Sequence, residues 1–115
     1  MSELSHLMQP ISIKSMEVPN RLVMPPMGTG LAHRDGTVSK ANLAYLERRA
    51  QGGAGLIITE ITSVHPQGTA APGTICAYDD SFIPGLVQMV EVVHARGGKI
   101  AMQLHHTGRE NVLLL

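Results

Sequence analysis

Three observations on this 115-residue chain predict an α/β fold built on a parallel sheet. Short apolar runs alternate with longer stretches of helical periodicity. The runs are nearly continuous, as in strands covered on both faces, rather than polar on every second residue. Gly-Gly pairs and Asp or Ser residues punctuate the changes from one type to the other. Strands alternating with helices imply right-handed crossovers. A doubly wound sheet and a (β/α)8 barrel both satisfy the pattern.

The first ten residues carry no pattern and are expected to be loosely ordered. "ISIKSMEV" alternates around a central turn, with Ile11 and Ile13 on one face, and reads as a small hairpin. "RLVM" is the first short strand, stopped by Pro25 and Pro26, because a double proline cannot continue a central strand. "LAHRDGTV" is a loop turning at Asp35-Gly36. Ser39 then caps a helix over "KANLAYLERRAQ". Leu43, Leu46 and Ala50 share one face, and Arg48 and Arg49 sit in the last turns, where the helix dipole favours cations.

Gly52-Gly53 ends that helix, and "AGLIITE" follows as the second strand, apolar on both faces. "VHPQGTAAPGT" is a loop, and Cys76 reads as a loop residue beyond it. A second helix starts near Asp79, Asp80 or Ser81, carries Pro84 in its first turn and runs to Gly97-Gly98. Its apolar face is Ile83, Leu86, Val87, Val90 and Val93. "KIAMQL" is the third buried strand. Met24, Met27 and Met102 read as core filler.

Composition narrows the function classes. Net charge is zero, which argues against nucleic-acid or membrane-surface binding, both of which want a basic excess. There is one cysteine, so no disulfide forms within the chain and the reduced cytoplasm is the expected compartment. No run approaches the roughly 18 apolar residues of a membrane helix, and the N-terminus lacks the pattern of a secretory signal.

In both candidate architectures, functional groups gather at the C-terminal ends of the parallel strands. Three segments there look least like packing: "PPMGTG", "TEIT" and "QLHHTGR". The first carries no Gly-x-Gly-x-x-Gly turn, which removes the usual dinucleotide signal. Its prolines fix the path and its glycines, Gly28 and Gly30, remove bulk, so rigid backbone can approach a flat ligand. Gln103 offers a donor and an acceptor on one amide, matching a flavin pyrimidine edge or a nucleobase.

His105 and His106 are adjacent, so on a strand they point to opposite faces and do not share one metal. Both read as structural histidines, one toward the site and the other toward the helix layer. Arg109 holds an anion or pairs with a carboxylate such as Glu60, which itself reads as a structural acid. A metal-dependent barrel hydrolase using His33, His65 and one of His105 or His106 is an alternative without a matched ligand motif.

The segments "PNRLVMPPMGTG", "LAYLERRAQGGAGLIITEITSVHPQG" and "GGKIAMQLHHTGR" together resemble the N-terminal part of the old yellow enzyme family of flavin-dependent ene-reductases. The resemblance is strongest to its dienoyl-CoA and enoate reductase branch. It runs from Ile11 to Arg109 in family order. It implies the N-terminal part, about three βα units plus a leading hairpin, of a (β/α)8 TIM barrel, so that residues 1–115 form one partial FMN-binding domain.

By the same resemblance, Pro25, Pro26, Met27 and Gly28 match the first flavin-contacting segment, Ile61 a position beside the flavin after the second strand, and Gln103 the flavin's pyrimidine clamp. His106, Gly108 and Arg109 match an "HxGR" that shapes the site. The implied cofactors are FMN and an NAD(P)H reductant, with a 4Fe-4S cluster and FAD in the larger members. The implied partner is a small electron-poor alkene, reduced by hydride transfer to its β-carbon and protonation of its α-carbon.

Departures matter as well. Where Gly28 stands, some members carry Thr or Cys, so tuning of the flavin falls to backbone or to Thr29. The family's tyrosine acid and substrate-anchoring histidines lie on later strands, so no catalytic residue is assigned here. "ENVLLL" departs from the family's continuation and reads as a truncated or shifted reading frame. Three of eight strands cannot close a barrel. The chain alone is therefore expected to be marginally folded, prone to aggregate and inactive, or else a non-catalytic remnant or interaction module.

Overall fold

In the computed structural model, residues 4–111 are described, so Met1–Glu3 of the unpatterned N-terminus and Val112–Leu115 of the divergent tail lie outside the described residues. The hairpin forms as expected. β1 (Ile11–Ile13) pairs antiparallel with β2 (Met16–Val18), and Lys14 takes the positive φ of 53° that the tight turn requires. Asn20 then anchors the entry to the sheet. Its Nδ2 donates to the Gly53 carbonyl at 2.7 Å and its Oδ1 accepts from Leu22 N–H at 3.0 Å.

β3 (Val23–Met24) leads through a long loop to α1 (Lys40–Gln51), which returns the chain to β4 (Leu56–Ser63). β5 (Ile75–Cys76) follows, then α2 (Ile83–His94) and β6 (Lys99–His105). All pairs in this sheet are parallel. β6 takes one edge of β4 along its length; β3 and β5 share the other, at the start and end of β4.

The crossovers decide between the two architectures left open by the sequence. From β3 to β4 to β6 the chain steps in one direction across the sheet. Two right-handed crossovers in the same direction place both helices on one face. The core confirms it: Ile57, Met89, Val93, Leu46 and Ala50 cluster together, with Met24 and Ile100 packed against them. Single-sided winding belongs to a barrel wall; a doubly wound sheet reverses direction and covers both faces.

Ser39 caps α1 as expected, accepting from Asn42 N–H, while the Asn42 side chain accepts from Ser39 N–H in a reciprocal box. Asp79 is the acidic cap chosen before α2. It caps a 3-10 turn over Asp80–Phe82 by accepting from Ser81 N–H at 2.9 Å.

Four expectations are corrected. Cys76 is not a loop residue: it is 3% exposed and ends β5, which the sequence hid because two strand residues lie between Pro/Gly-rich loops. The buried residues of α2 are Met89 and Val93, whereas Ile83, Val87 and Val90 are 50%, 46% and 38% exposed. The helix is apolar on two sides, and only the side over the sheet finds cover. β6 is not buried on both faces: Ala101, Met102 and Leu104 are exposed, and no strand among the described residues pairs with its outer edge. Met27 and Met102 are exposed and do not fill the core, whereas Met24 packs against it, half-buried, and Met89 lies within it.

Candidate functional site

On the face of the sheet away from the helices, Ile61 and Gln103 stand side by side. β4 and β6 run in register from Leu56 with Lys99 to Ile58 with Ala101. The register then slips, so that Thr59 and Glu60 stand against the single residue Met102, and pairing resumes at Ile61 with Gln103. This is a β-bulge, and it resets the alternation of β4. Paired residues of neighbouring strands point to one face. Ile58, Ile61, Ala101 and Gln103 therefore project away from the helices. His105, two residues beyond Gln103, shares their side. Ile61 lies within β4 rather than after it, because the strand continues to Ser63.

The Gln103 backbone is held from β4: its N–H donates to Thr59 Oγ1 at 3.2 Å. Its carboxamide is half-buried and has no hydrogen-bond partner among the described residues. On the other side of β4, β3 ends at Met24 and Pro25-Pro26-Met27-Gly28 follows without regular secondary structure. The N–H groups of Met27 and Gly28 bond to nothing among the described residues. A Cβ built on Gly28 would meet no atom within 4 Å, so this backbone faces open space.

Immediately after that segment the chain is clamped. Thr29 N–H and Thr29 Oγ1–H both donate to the Glu60 carboxylate, at 3.0 and 2.6 Å. Asn42, 2% exposed in the first turn of α1, donates to the same carboxylate at 3.3 Å. Ser39 extends the network by donating to the Leu31 carbonyl at 2.6 Å. Thr29 is thus committed to Glu60 and is not a free hydroxyl over Gly28.

Glu60 does not pair with Arg109. The arginine lies in a 3-10 turn over Gly108–Glu110, its Nε 3.5 Å from Glu110, with both side chains almost fully exposed. Such a pair adds little stability. Sequence reasoning missed the partners of Glu60 because they stand 31 and 18 residues away from it, and no local spacing marks them.

The adjacent histidines separate, but not to the two faces of one strand: β6 ends at His105, and His106 lies against the loop of His65 and Gly68. His105 closes β6 with its Nδ1 buried and unpartnered among the described residues. His106 lies beyond the strand, where its Nδ1 accepts from Gly108 N–H at 2.9 Å and its ring tilts against His65 at 5.8 Å. Gly68 was not singled out from the sequence, yet a Cβ there would fall 2.4 Å from the His106 ring. Among the described residues no three His, Cys, Asp or Glu side chains converge on a point that could hold a metal ion. No described helix is long and apolar enough to cross a membrane.

Known proteins share the fold of this chain. An NADH oxidase of Thermoanaerobacter brockii is 44% identical over 99 residues, covering 85% of this chain and 15% of that protein. The solved structure of the old yellow enzyme homologue from Zymomonas mobilis superposes with a TM-score of 0.83 at 33% identity, covering 90% of this chain and 28% of that one. Morphinone reductase, solved in complex with tetrahydroNAD, gives 0.82 at 36% identity, with the same two coverages of 90% and 28%. The chain therefore spans less than a third of the length of these proteins. Its described hairpin, four parallel strands and two α-helices form the first part of their (β/α)8 barrel. A family model for NADH:flavin oxidoreductases and NADH oxidases matches residues 6–113, and the chain belongs to that NADH:flavin oxidoreductase / NADH oxidase family.

Proposed function

We propose that this chain supplies the first cofactor-contacting segments of an FMN-dependent oxidoreductase that takes hydride from NAD(P)H and reduces an activated C=C bond. The observation that carries the reading is the pairing of Ile61 with Gln103 on the helix-free face, beside a backbone segment with unspent donors. When bound, FMN supplies the redox chemistry, accepting hydride from the nicotinamide and passing it to the alkene.

The residues present fit that cofactor. The free Gln103 carboxamide offers a donor and an acceptor side by side, the complement of the N–H and C=O of a flavin pyrimidine edge. Met27 and Gly28 offer two backbone N–H donors, and Pro25 and Pro26 fix the path of the segment so that these donors need no reorganisation. Gly28 has no side chain to hold a flat ring away from the backbone. Ile61 gives an apolar contact between the two polar edges and keeps water off the ring. Pro25, Pro26, Met27, Gly28, Ile61 and Gln103 thus bind and orient, and no residue of this chain is assigned the proton-donating role. The 115 residues by themselves are proposed to be inactive, since the barrel's remaining strands complete the site.

The test is purification of the full-length protein that contains this segment. The expected result is a yellow protein that releases FMN on denaturation, bleaches with NADH or NADPH in the absence of oxygen, and recolours on adding an enone. A folded, colourless protein that takes up no added FMN would overturn the reading. The isolated chain, assayed alongside, is expected to show no enone-dependent oxidation of either nicotinamide.

A further inference from the structure

We propose that the Thr59–Glu60 bulge is the positioning element of the flavin site, fixing the Gln103 strand on one side and the Pro25–Gly28 segment on the other. The inference rests on the FMN reading above. Neither side chain is placed against the cofactor, so both act through the residues they hold.

Three observations converge on the dipeptide. The first is phase: without the extra residue opposite Met102, strict alternation would send Ile61 to the helix face with Ile57. The bulge returns it to the face of Gln103. The second is the Thr59 hydroxyl, 2% exposed, which accepts the Gln103 N–H at 3.2 Å and donates its own proton to the Glu60 carbonyl at 3.0 Å. Here the strand ladder is interrupted, and a side chain replaces the missing backbone acceptor.

The third is the Glu60 carboxylate. It accepts both donors of Thr29, the residue next to Gly28, and the amide of Asn42 at the start of α1. The Thr59 hydroxyl and both oxygens of the Glu60 carboxylate, on two consecutive residues, thus set the two walls of the site. A half-buried carboxylate between a helix and a sheet is a costly way to fill space. Its three donors all come from the loop and helix that frame the Pro25–Gly28 segment.

The experiment compares wild type, Thr59→Val, Thr59→Ser and Glu60→Gln in the full-length protein. It reads FMN affinity by flavin fluorescence, the visible spectrum of the bound flavin, and amide exchange in the apoprotein. Thr59→Val keeps the shape and removes the hydroxyl. It is expected to speed exchange at Gln103, weaken FMN binding about tenfold and shift the flavin band. Thr59→Ser restores the acceptor and is expected to return all three toward wild type. Glu60→Gln turns a donor toward donors, and is expected to speed exchange at Thr29 with a loss of affinity of about tenfold or more. Exchange at Ile57, in the core, stays slow in every variant if the fold is intact.

Variants that bind FMN as tightly as wild type, with unchanged flavin spectra, would overturn the positioning role and leave the function reading standing. A wild type that takes up no FMN would remove the function reading and the positioning with it.

Discussion

Asn42→Ala tests whether the network under the site is as tight as its distances imply. Asn42 is 2% exposed, and its side chain does two separate things. Its Oδ1 accepts the Ser39 N–H at 3.0 Å, and its Nδ2 donates to Glu60 at 3.3 Å. The 3.1 Å contact between Ser39 Oγ and Asn42 Oδ1 is not a third bond, because the Ser39 proton is already given to the Leu31 carbonyl. Truncation leaves the buried Ser39 N–H without an acceptor, at a cost of about 1–3 kcal/mol. Glu60 keeps both Thr29 donors, so the loss on that side is smaller, about 1 kcal/mol. The serine half of the capping box survives, since its Oγ accepts a backbone N–H. The expected destabilisation is about 2–4 kcal/mol in urea denaturation. Asn42→Asp separates the two parts. It keeps the acceptor for Ser39 but sets a second carboxylate against Glu60, so its stability should fall as pH rises through the carboxyl range. An Asn42→Ala protein within about 0.5 kcal/mol of wild type, the range of neutral surface changes, would refute the reasoning. So would an Asn42→Asp protein equally stable on both sides of the carboxyl titration.

Ile57→Ala, at a position 0% exposed, is expected to cost about 2–5 kcal/mol in the same assay, whereas Val87→Ala, 46% exposed on the far side of α2, should fall within about 0.5 kcal/mol. Gly36→Ala should cost about 2 kcal/mol or more, because Gly36 has φ +86° and its Cβ would lie 2.4 Å from Cys76 Sγ; the melting temperature should fall and Cys76 should become reactive to a thiol reagent that leaves it untouched in the wild type. Asp35 and Asp79 are held below the usual carboxylate range, Asp35 first by the Thr37 hydroxyl and then the Thr37 N–H, Asp79 by the Ser81 N–H. A depressed folded value means that their contribution is present above the ordinary carboxyl titration and is lost as pH falls through the depressed one. Carboxyl titration followed by NMR should show both below their ordinary value, and Thr37→Val should move Asp35 back up.

Much of this fold is legible locally. Ser39, the Leu46/Ala50 face and the Gly52-Gly53 stop define α1 because capping and helical period act within a few residues. The run "LIIT" marks β4 because a strand between two others needs apolar side chains on both faces. What failed depended on distant neighbours. α2 is apolar over most of its circumference, so periodicity could not say that Met89 is covered and Val87 is not; that is set by where the sheet passes. β5 gave no signal because two residues have no period, and its strand state comes from pairing with Thr62 and Ser63. Direction across the sheet, which separates a barrel from a doubly wound fold, is likewise a property of strand order and not of any one segment.

The site divides in the same way, and the bulge shows why. Read with strict alternation, "LIITEI" places Ile57, Thr59 and Ile61 on one face and Ile58 and Glu60 on the other. That reading would put a carboxylate on the open face beside Gln103 and an isoleucine under the helices. The register slip opposite Met102 reverses both placements. Glu60 turns to the donors of Thr29 and Asn42, where its charge is met, and Ile61 turns to the face away from the helices beside Gln103. No residue in the segment is unusual for a strand, so composition cannot announce the slip. Its cause lies in satisfaction of the polar groups: Thr59 can accept the Gln103 N–H, and Glu60 can gather three donors, only if two residues of β4 stand against one of β6. Family resemblance picked out Ile61 and Gln103 separately; the register slip beside Thr59 and Glu60 is what sets them opposite one another.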